Sequence, residues 1–307
     1  MQNPYGDVFE SYAPWSGSVP AGYTASFLGS LARIDRLYPG KYISVLEKKA
    51  AQDYHDTPPL PRPQSPNYYE MGAVLSAVNR ASGEFNMLEL GAGTGPWTAS
   101  AAHAAARKGI TSRYFIAVEA EPTRFEWLHD NMAVNGISED ERHLVRAVVF
   151  PSGKADTNVY FPVGAPLFAG HGARSSETEL DGPQLTRKVE YVGRVEDAVL
   201  EAAPVVTLGE LLRVHRDRVF DVAHIDIQGV EDQVIEDAAD MIQTNLRSVA
   251  IGTHGAKIEE NLHRILARLG WTCVFSFGTN STFEVDGAVI STKGLDGFQH
   301  WVNPKLT

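Results

Sequence analysis

The stretch Phe85–Glu119 constrains this chain more than any other. It reads Phe85-Asn86-Met87-Leu88-Glu89-Leu90-Gly91-Ala92-Gly93-Thr94-Gly95, then an alanine-rich segment, then Arg113-Tyr114-Phe115-Ile116-Ala117-Val118-Glu119. An apolar run that breaks into closely spaced glycines, a helical stretch and a second apolar run ending in an acid is the order of a nucleotide-binding strand, turn, helix and strand. Gly91 and Gly93 allow backbone angles closed to other residues and let a ligand approach the main chain, while Gly95 allows tight entry into the helix. Glu119, at the tip of the second strand, is placed to accept hydrogen bonds from both hydroxyls of a ribose. The unit is therefore expected to hold an adenosine-containing cofactor.

The turn continues Gly95-Pro96-Trp97, where a dinucleotide-binding turn needs a small residue for close packing of helix on strand. Glu89, at the end of the first strand, also departs from the apolar dinucleotide pattern. Both features resemble motif I of the class I S-adenosylmethionine-dependent methyltransferases, an acid-x-Gly-x-Gly-x-Gly loop around the amino acid half of the cofactor.

With 307 residues the chain can bury a full core, as one large domain or one domain with an appendage. Its 43% hydrophobic and 21% charged residues are ordinary for a globular protein. No apolar run reaches the roughly 20 residues of a membrane span, and Met1-Gln2-Asn3-Pro4 lacks the pattern of a signal peptide, so a cytoplasmic protein with no membrane partner is expected. The single cysteine, Cys273, excludes an internal disulfide and reads as a small packed side chain. A net charge of −11 disfavours a nucleic acid partner and favours a small-molecule acceptor.

In chain order, residues 1–66 read as an N-terminal extension with a proline-rich boundary. Tyr5, Phe9, Tyr12, Trp15, Tyr23 and Phe27 make it too apolar for a disordered tail, and Ala25–Leu37 has helical spacing. Such an extension can cover the cleft, pair with another subunit in a homo-oligomer, or cover a sheet edge. Pro58, Pro59, Pro61, Pro63 and Pro66 exclude helix and central strand up to the boundary. The main domain, 67–307, opens with a helix from Asn67 to about Ala81. The nucleotide unit follows, then a helix bracketed by Pro122 and Gly136, and a third strand over Leu144–Phe150. Residues 151–188, rich in glycine and proline, read as a long loop insertion that could act as a lid, with a short strand pair (Asn158–Phe161, Lys188–Val192) at its flanks and Phe168, His171 and Arg174 as candidate substrate contacts. Thr207-Leu208-Gly209-Glu210 is a capping box. Strands over Val219–Asp226, Arg247–Ile251 and Trp271–Phe277 alternate with helices over Gly229–Ile242 and Ile258–Leu269, and a hairpin (Thr282–Val285, Ala288–Thr292) closes the chain. The fold class is α/β: a doubly wound, mostly parallel Rossmann-like sheet with an antiparallel end strand.

Several blocks together resemble the FkbM-type methyltransferase family: Thr207-Leu208-Gly209-Glu210-Leu211-Leu212, Phe220-Asp221-Val222-Ala223-His224-Ile225-Asp226-Ile227-Gln228-Gly229-Val230-Glu231, Val234-Ile235-Glu236-Asp237-Ala238, and Ala117-Val118-Glu119-Ala120-Glu121-Pro122 followed by Asn131 and Asn135. The resemblance covers about residues 85–275. It implies S-adenosyl-L-methionine and methyl transfer, commonly to a hydroxyl of a sugar or a secondary metabolite. It also implies that Glu89 and the loop Gly91, Ala92, Gly93 and Gly95 hold the methionine end, that Glu119 with Ala120 holds the ribose side, and that Asp226 stands beside the transferred methyl. Many members carry an acid where this chain has Gln228. The extension and the 151–188 segment lie outside the resemblance, so substrate specificity does not transfer with it.

Methyl transfer to oxygen asks the protein to align the nucleophile and remove its proton. His254, just past the fifth strand, is the candidate general base, since an unperturbed pKa of about 6.5 suits that task; the alternative is that it binds a backbone group or lines the cleft. Asp226 is expected to orient the acceptor, assist the base, or bind Mg2+ with Gln228 and His254. His224 should face the fold's interior. Two other classes remain open: a nicotinamide-dependent dehydrogenase and a non-catalytic cofactor-binding scaffold.

Overall fold

The computed structural model describes residues 1–37, 43–152, 158–163, 174–176, 184–191 and 194–307, with no side-chain detail for Pro66 or for residues 158–200. The centre is a seven-stranded sheet: β1 (Glu84–Leu90), β2 (Ser112–Glu119), β3 (Arg142–Arg146), β4 (Val222–Ile225), β5 (Ser248–Thr253), β6 (Thr272–Phe277) and β7 (Gly297–Val302). Their spatial order is β6-β7-β5-β4-β1-β2-β3. β1 to β5 run parallel, and β7 is antiparallel to both neighbours, β5 and β6. This is the doubly wound Rossmann-like sheet expected, with β1 central and the strand order reversing between β1 and β4.

The central strands are apolar almost end to end because helices cover both faces. Met87, Leu88, Leu90, Phe115, Ile116, Val222, Ile225, Val249 and Ile251 are all completely buried. The covering helices are α1 (Pro66–Arg80), α2 (Pro96–Arg107), α3 (Pro122–Val134), α4 (Leu208–Val214), α5 (Glu231–Asp237), α6 (Ala239–Asn245) and α7 (Ala256–Arg268). Their start signals work as the residues dictate: α1, α2 and α3 carry proline in the first turn, and the Thr207–Glu210 capping box opens α4 with both reciprocal hydrogen bonds present.

The structure corrects the sequence reading at five places. Ala25–Leu37 is no helix: Tyr23–Ala25 and Leu31–Arg33 pair as antiparallel strands, followed by a 3-10 turn over Ile34–Arg36. The Gly29 N–H donates to the Ser26 carbonyl at φ +89°, a turn that a helix could not contain. The third strand stops at Arg146, and Val148–Val149 pairs instead with Val205–Val206. The helix after Gly229 breaks at Ala238 into α5 and α6. Strands at both expected flanks are present but do not pair with each other: Asn158–Val163 pairs with Arg174–Ser176 and Arg194–Ala202, and Gln184–Tyr191 joins by Arg194–Ala202, in a four-stranded antiparallel sheet. Phe168 and His171 lie outside the described residues, and for Arg174 the description gives only its backbone, in a strand. Finally, the antiparallel strand expected at this end of the sheet comes from Gly297–Val302 (β7), a segment not read as a strand, which pairs with β5 and β6, and the closing hairpin forms a separate two-stranded sheet.

The N-terminal extension is packed into the main domain. The Tyr5 hydroxyl bonds His300 Nδ1 at 2.7 Å, and its ring meets Tyr69 and Phe275 edge-on. Phe9 stacks on Tyr68 with centroids 4.3 Å apart. Asn135, at the end of α3, accepts from the Leu31 N–H and donates to the Leu31 carbonyl, so the hairpin is sealed to the helix. No helix among the described residues is long and apolar enough to cross a membrane.

Candidate functional site

The tips of β1, β2, β4 and β5 bring Glu89, Glu119, Asp226 and His254 to one edge of the sheet, the edge where open α/β sheets bind ligands. Each glycine of the loop after β1 has its own reason. Gly91 (φ +78°) is there because a Cβ would overlap the Asp226 carbonyl oxygen, so it is the chain after β4, rather than a ligand, that demands glycine. Gly95 (φ +72°) is the N-cap of α2, and a Cβ would strike Leu128 and Met132 of α3. Gly93 (φ +55°) faces open space.

The Gly91, Ala92, Gly93 and Gly95 donors of this loop are already engaged. The Gly91 and Ala92 N–H groups both donate to the Val118 carbonyl, at 3.0 and 2.8 Å, and Gly95 N–H donates to the Ala92 carbonyl at 2.7 Å. The Gly93 N–H donates to Glu119 Oε2 at 2.7 Å. At the start of α2, Pro96 has no N–H, and Glu89 Oε2 accepts both the Thr98 N–H at 2.8 Å and the Thr98 hydroxyl. A carboxylate of the protein thus occupies the end of the helix dipole where a phosphate would sit. Ala92 is buried in the core, and Ala120, half-buried, packs beside Val148 and Phe150.

Glu119 is 4% exposed; its Oε1 accepts the Glu121 N–H at 2.8 Å, fixing the carboxylate from both sides. Each oxygen retains a lone pair for a ribose hydroxyl. Burial raises its pKa, opposed by the N–H groups of Glu121 and Gly93 and by Arg124. Glu89 is likewise raised by burial, against the pull of His224 and the Thr98 hydrogen bonds, and its Oε1 is buried without a protein partner. His224 lies inside the fold as expected: its Nε2 meets Glu70 Oε2 at 2.9 Å and its ring lies 5.0 Å from that of Trp97.

Asp226 and His254 come together. His254 Nε2 lies 3.4 Å from Asp226 Oδ1 and 3.5 Å from Asp296 Oδ2, and Gln228 Nε2 donates to Asp226 Oδ1 at 2.8 Å. Behind the imidazole, Nδ1–H donates to Glu231 Oε1 at 2.8 Å. Burial alone would lower the His254 pKa, but the nearby Asp296 carboxylate, the hydrogen bond to Glu231 and the charge of Asp226 outweigh it and push it up to about 10. A ring held protonated by these carboxylates has no lone pair to take a proton, which argues against His254 as the base. Loss of water raises the Asp226 carboxyl; the His254 cation opposes this and Glu70 adds to it.

The Mg2+ expectation does not fit this donor set. Asp226 Oδ1 is engaged by an amide N–H and faces a cation, and among the described residues no three His, Cys, Asp or Glu side chains are grouped to hold a metal. Glu231 and Asp296 were missed from the sequence. Glu231 was visible as an acid in the first turn after Gly229, but Asp296 comes from the segment before β7, and its placement depends on that strand's insertion. A separate cavity of about 290 Å3, between the 23–37 hairpin and α3, is lined by Arg33, Arg36, Trp127, Thr94 and Asn131 among others and includes none of the four strand-tip residues.

No family model matches the chain. A protein of Jannaschia sp. (strain CCS1), described as "Putative methyltransferase", is 25% identical over 219 residues, covering 69% of this chain and 71% of that protein. Solved structures that align include the precorrin-6y C5,15-methyltransferase of Geobacter metallireducens GS-15, with 12% identity, a TM-score of 0.40 and coverage of 79% of this chain and 92% of that one. An rRNA methylase of Streptococcus thermophilus aligns at 11% identity and a TM-score of 0.41, covering 79% and 98%. At these values the fold assignment rests on the chain's own strand order and register.

Proposed function

We propose that this chain is an S-adenosylmethionine-dependent methyltransferase that methylates a hydroxyl of a small molecule such as a sugar or secondary metabolite. The observation that carries the reading is the loop after β1, whose Gly91, Ala92, Gly93 and Gly95 donors are all satisfied within the protein, beside a helix end held by Glu89. A dinucleotide needs those donors for its pyrophosphate. A cofactor that joins adenosine to a cationic sulfonium has no pyrophosphate to place there, and its positive sulfur suits a site edged by carboxylates. The description of the Jannaschia relative points the same way.

Fit to that cofactor is supported by three features of the edge: spare lone pairs on Glu119, the buried unpartnered oxygen of Glu89, and open space at Gly93. When bound, the cofactor supplies an electrophilic methyl group on a good leaving group. The chain's residues then hold the acceptor and take its proton. Asp226, half-buried, is the proton acceptor, and His254 at 3.4 Å favours its ionised form against the effect of burial. The acceptor is a small molecule of neutral or cationic character, in keeping with the acidic balance of the chain.

The test is calorimetric titration with S-adenosylhomocysteine and, separately, NADH. Micromolar binding of the first without the second supports the reading, and NADH binding alone overturns it. Turnover of a hydroxyl acceptor panel lost in Asp226→Asn with binding retained separates an enzyme from a scaffold.

A further inference from the structure

Glu231 is completely buried, yet its carboxylate touches both candidate catalytic segments. On one side its Oε1 accepts the His254 Nδ1–H at 2.8 Å. On the other, the Gly229 N–H donates to its two oxygens at 3.0 and 3.2 Å. Gly229 belongs to the turn that carries Asp226 away from β4. That turn takes Gln228 to φ +62° and Gly229 to φ +115°, a conformation unfavourable for the glutamine and in need of an external hold. Gln228 in turn donates to Asp226 Oδ1. The side chain of Glu231 thus bridges two successive crossovers, β4 to α5 and β5 to α7, which Asn261 also ties by its hydrogen bond to Asp232 at 2.7 Å. A fully buried carboxylate is costly unless every oxygen has a donor, and here the donors are the two groups whose placement matters to the cleft.

We propose that Glu231 is the positioning residue of this site: it fixes the His254 ring with Nε2 directed at Asp226 and Asp296, and at the same time locks the Gln228–Gly229 turn that presents Asp226. The inference rests on the methyltransferase reading for its kinetic test but not for its structural one. Glu231 itself touches no reacting group. Because Oε1 alone accepts from both partners, an amide oxygen at that position can keep both hydrogen bonds, whereas a methyl keeps neither.

The experiment compares wild type, Glu231→Gln and Glu231→Ala. The first readout is the ring N–H spectrum of 15N-histidine-labelled protein, with the His254 signals assigned from His254→Gln. The second is kcat and KM for S-adenosylmethionine, with thermal unfolding as a control. The proposal expects a protected downfield Nδ1–H signal in wild type, kept in Glu231→Gln and lost in Glu231→Ala. It expects kcat to fall at least tenfold in Glu231→Ala, with KM for the cofactor within about twofold, and to recover partly in Glu231→Gln. A Glu231→Ala protein that keeps the signal, or keeps kcat within twofold, overturns it. If wild type transfers no methyl group, the functional reading fails and the ring signal alone decides the positioning role; if Glu231→Ala does not fold, the same comparison is made on Glu231→Gln and Glu231→Asp, where loss of kcat in the shorter acid with retention in the amide is the supporting result and equal loss in both overturns it.

Discussion

At the scale of single residues, one carboxylate and two glycines carry distinct and separable loads. Glu119 holds Gly93 and Glu121 and has capacity left for two hydroxyls. Hydrogen bonds to a charged group contribute about 1.5–3 kcal/mol each. Glu119→Ala is therefore expected to weaken S-adenosylhomocysteine binding by about 100-fold or more in calorimetry. Gly91 and Gly93 share a positive φ but differ in surroundings. Gly91→Ala drives a methyl group into the Asp226 carbonyl, and its expected outcome is failure to accumulate folded protein. Gly93→Ala meets open space and costs only the left-handed conformation, about 1–2 kcal/mol, so it should fold with a melting point a few degrees lower and lose ligand affinity because its methyl group occupies the cleft. Circular dichroism melts and titration of both variants check the contrast. The sequence pattern named these glycines together; only the neighbours that a Cβ would meet tell them apart.

At the scale of elements, polar residues placed inside the fold decide where segments go. β7 carries Gln299 and His300, 1% and 0% exposed, in a central strand position. They are tolerated there because Gln299 donates to the Glu259 carbonyl and accepts from Trp301 Nε1, and His300 meets Tyr5. Glu259 and Tyr5 lie far away in sequence, so Gly297–Val302 did not read as a buried strand, although its Phe298, Trp301 and Val302 were a usable signal. The 23–33 hairpin is similar: its attachment depends on Asn135. Asn135→Ala leaves the Leu31 N–H and carbonyl without that partner, at a cost of about 1–3 kcal/mol. Hydrogen exchange should show faster exchange across 23–33 while β1 and β2 stay protected; unchanged protection of the hairpin would contradict this attachment.

At the scale of the whole molecule, the His254 cluster couples the cleft to global stability. Its folded pKa, about 10, lies above the unfolded value near 6.5, so the folded state binds the extra proton between those limits. The stabilisation is complete below pH 6.5 and is lost as pH rises through about 10. Urea midpoints measured from pH 7 to 10 should therefore fall more steeply for wild type than for His254→Gln, and parallel curves would speak against a protonated His254. His300 has the opposite sign: burial lowers it to about 3, so its contribution is present above pH 6.5 and fades as pH falls towards 3. The sequence by itself determined the α/β class, the β1–α2–β2 unit and the candidacy of Glu89, Glu119, Asp226 and His254, because apolar periodicity, glycine spacing and strand-end acids are local signals. Only the tertiary structure decided that β7 enters the sheet between β5 and β6 and that Glu231 and Asp296 join His254. Those outcomes come from burial and from charges brought close by chain segments distant in sequence, and local spacing does not record either.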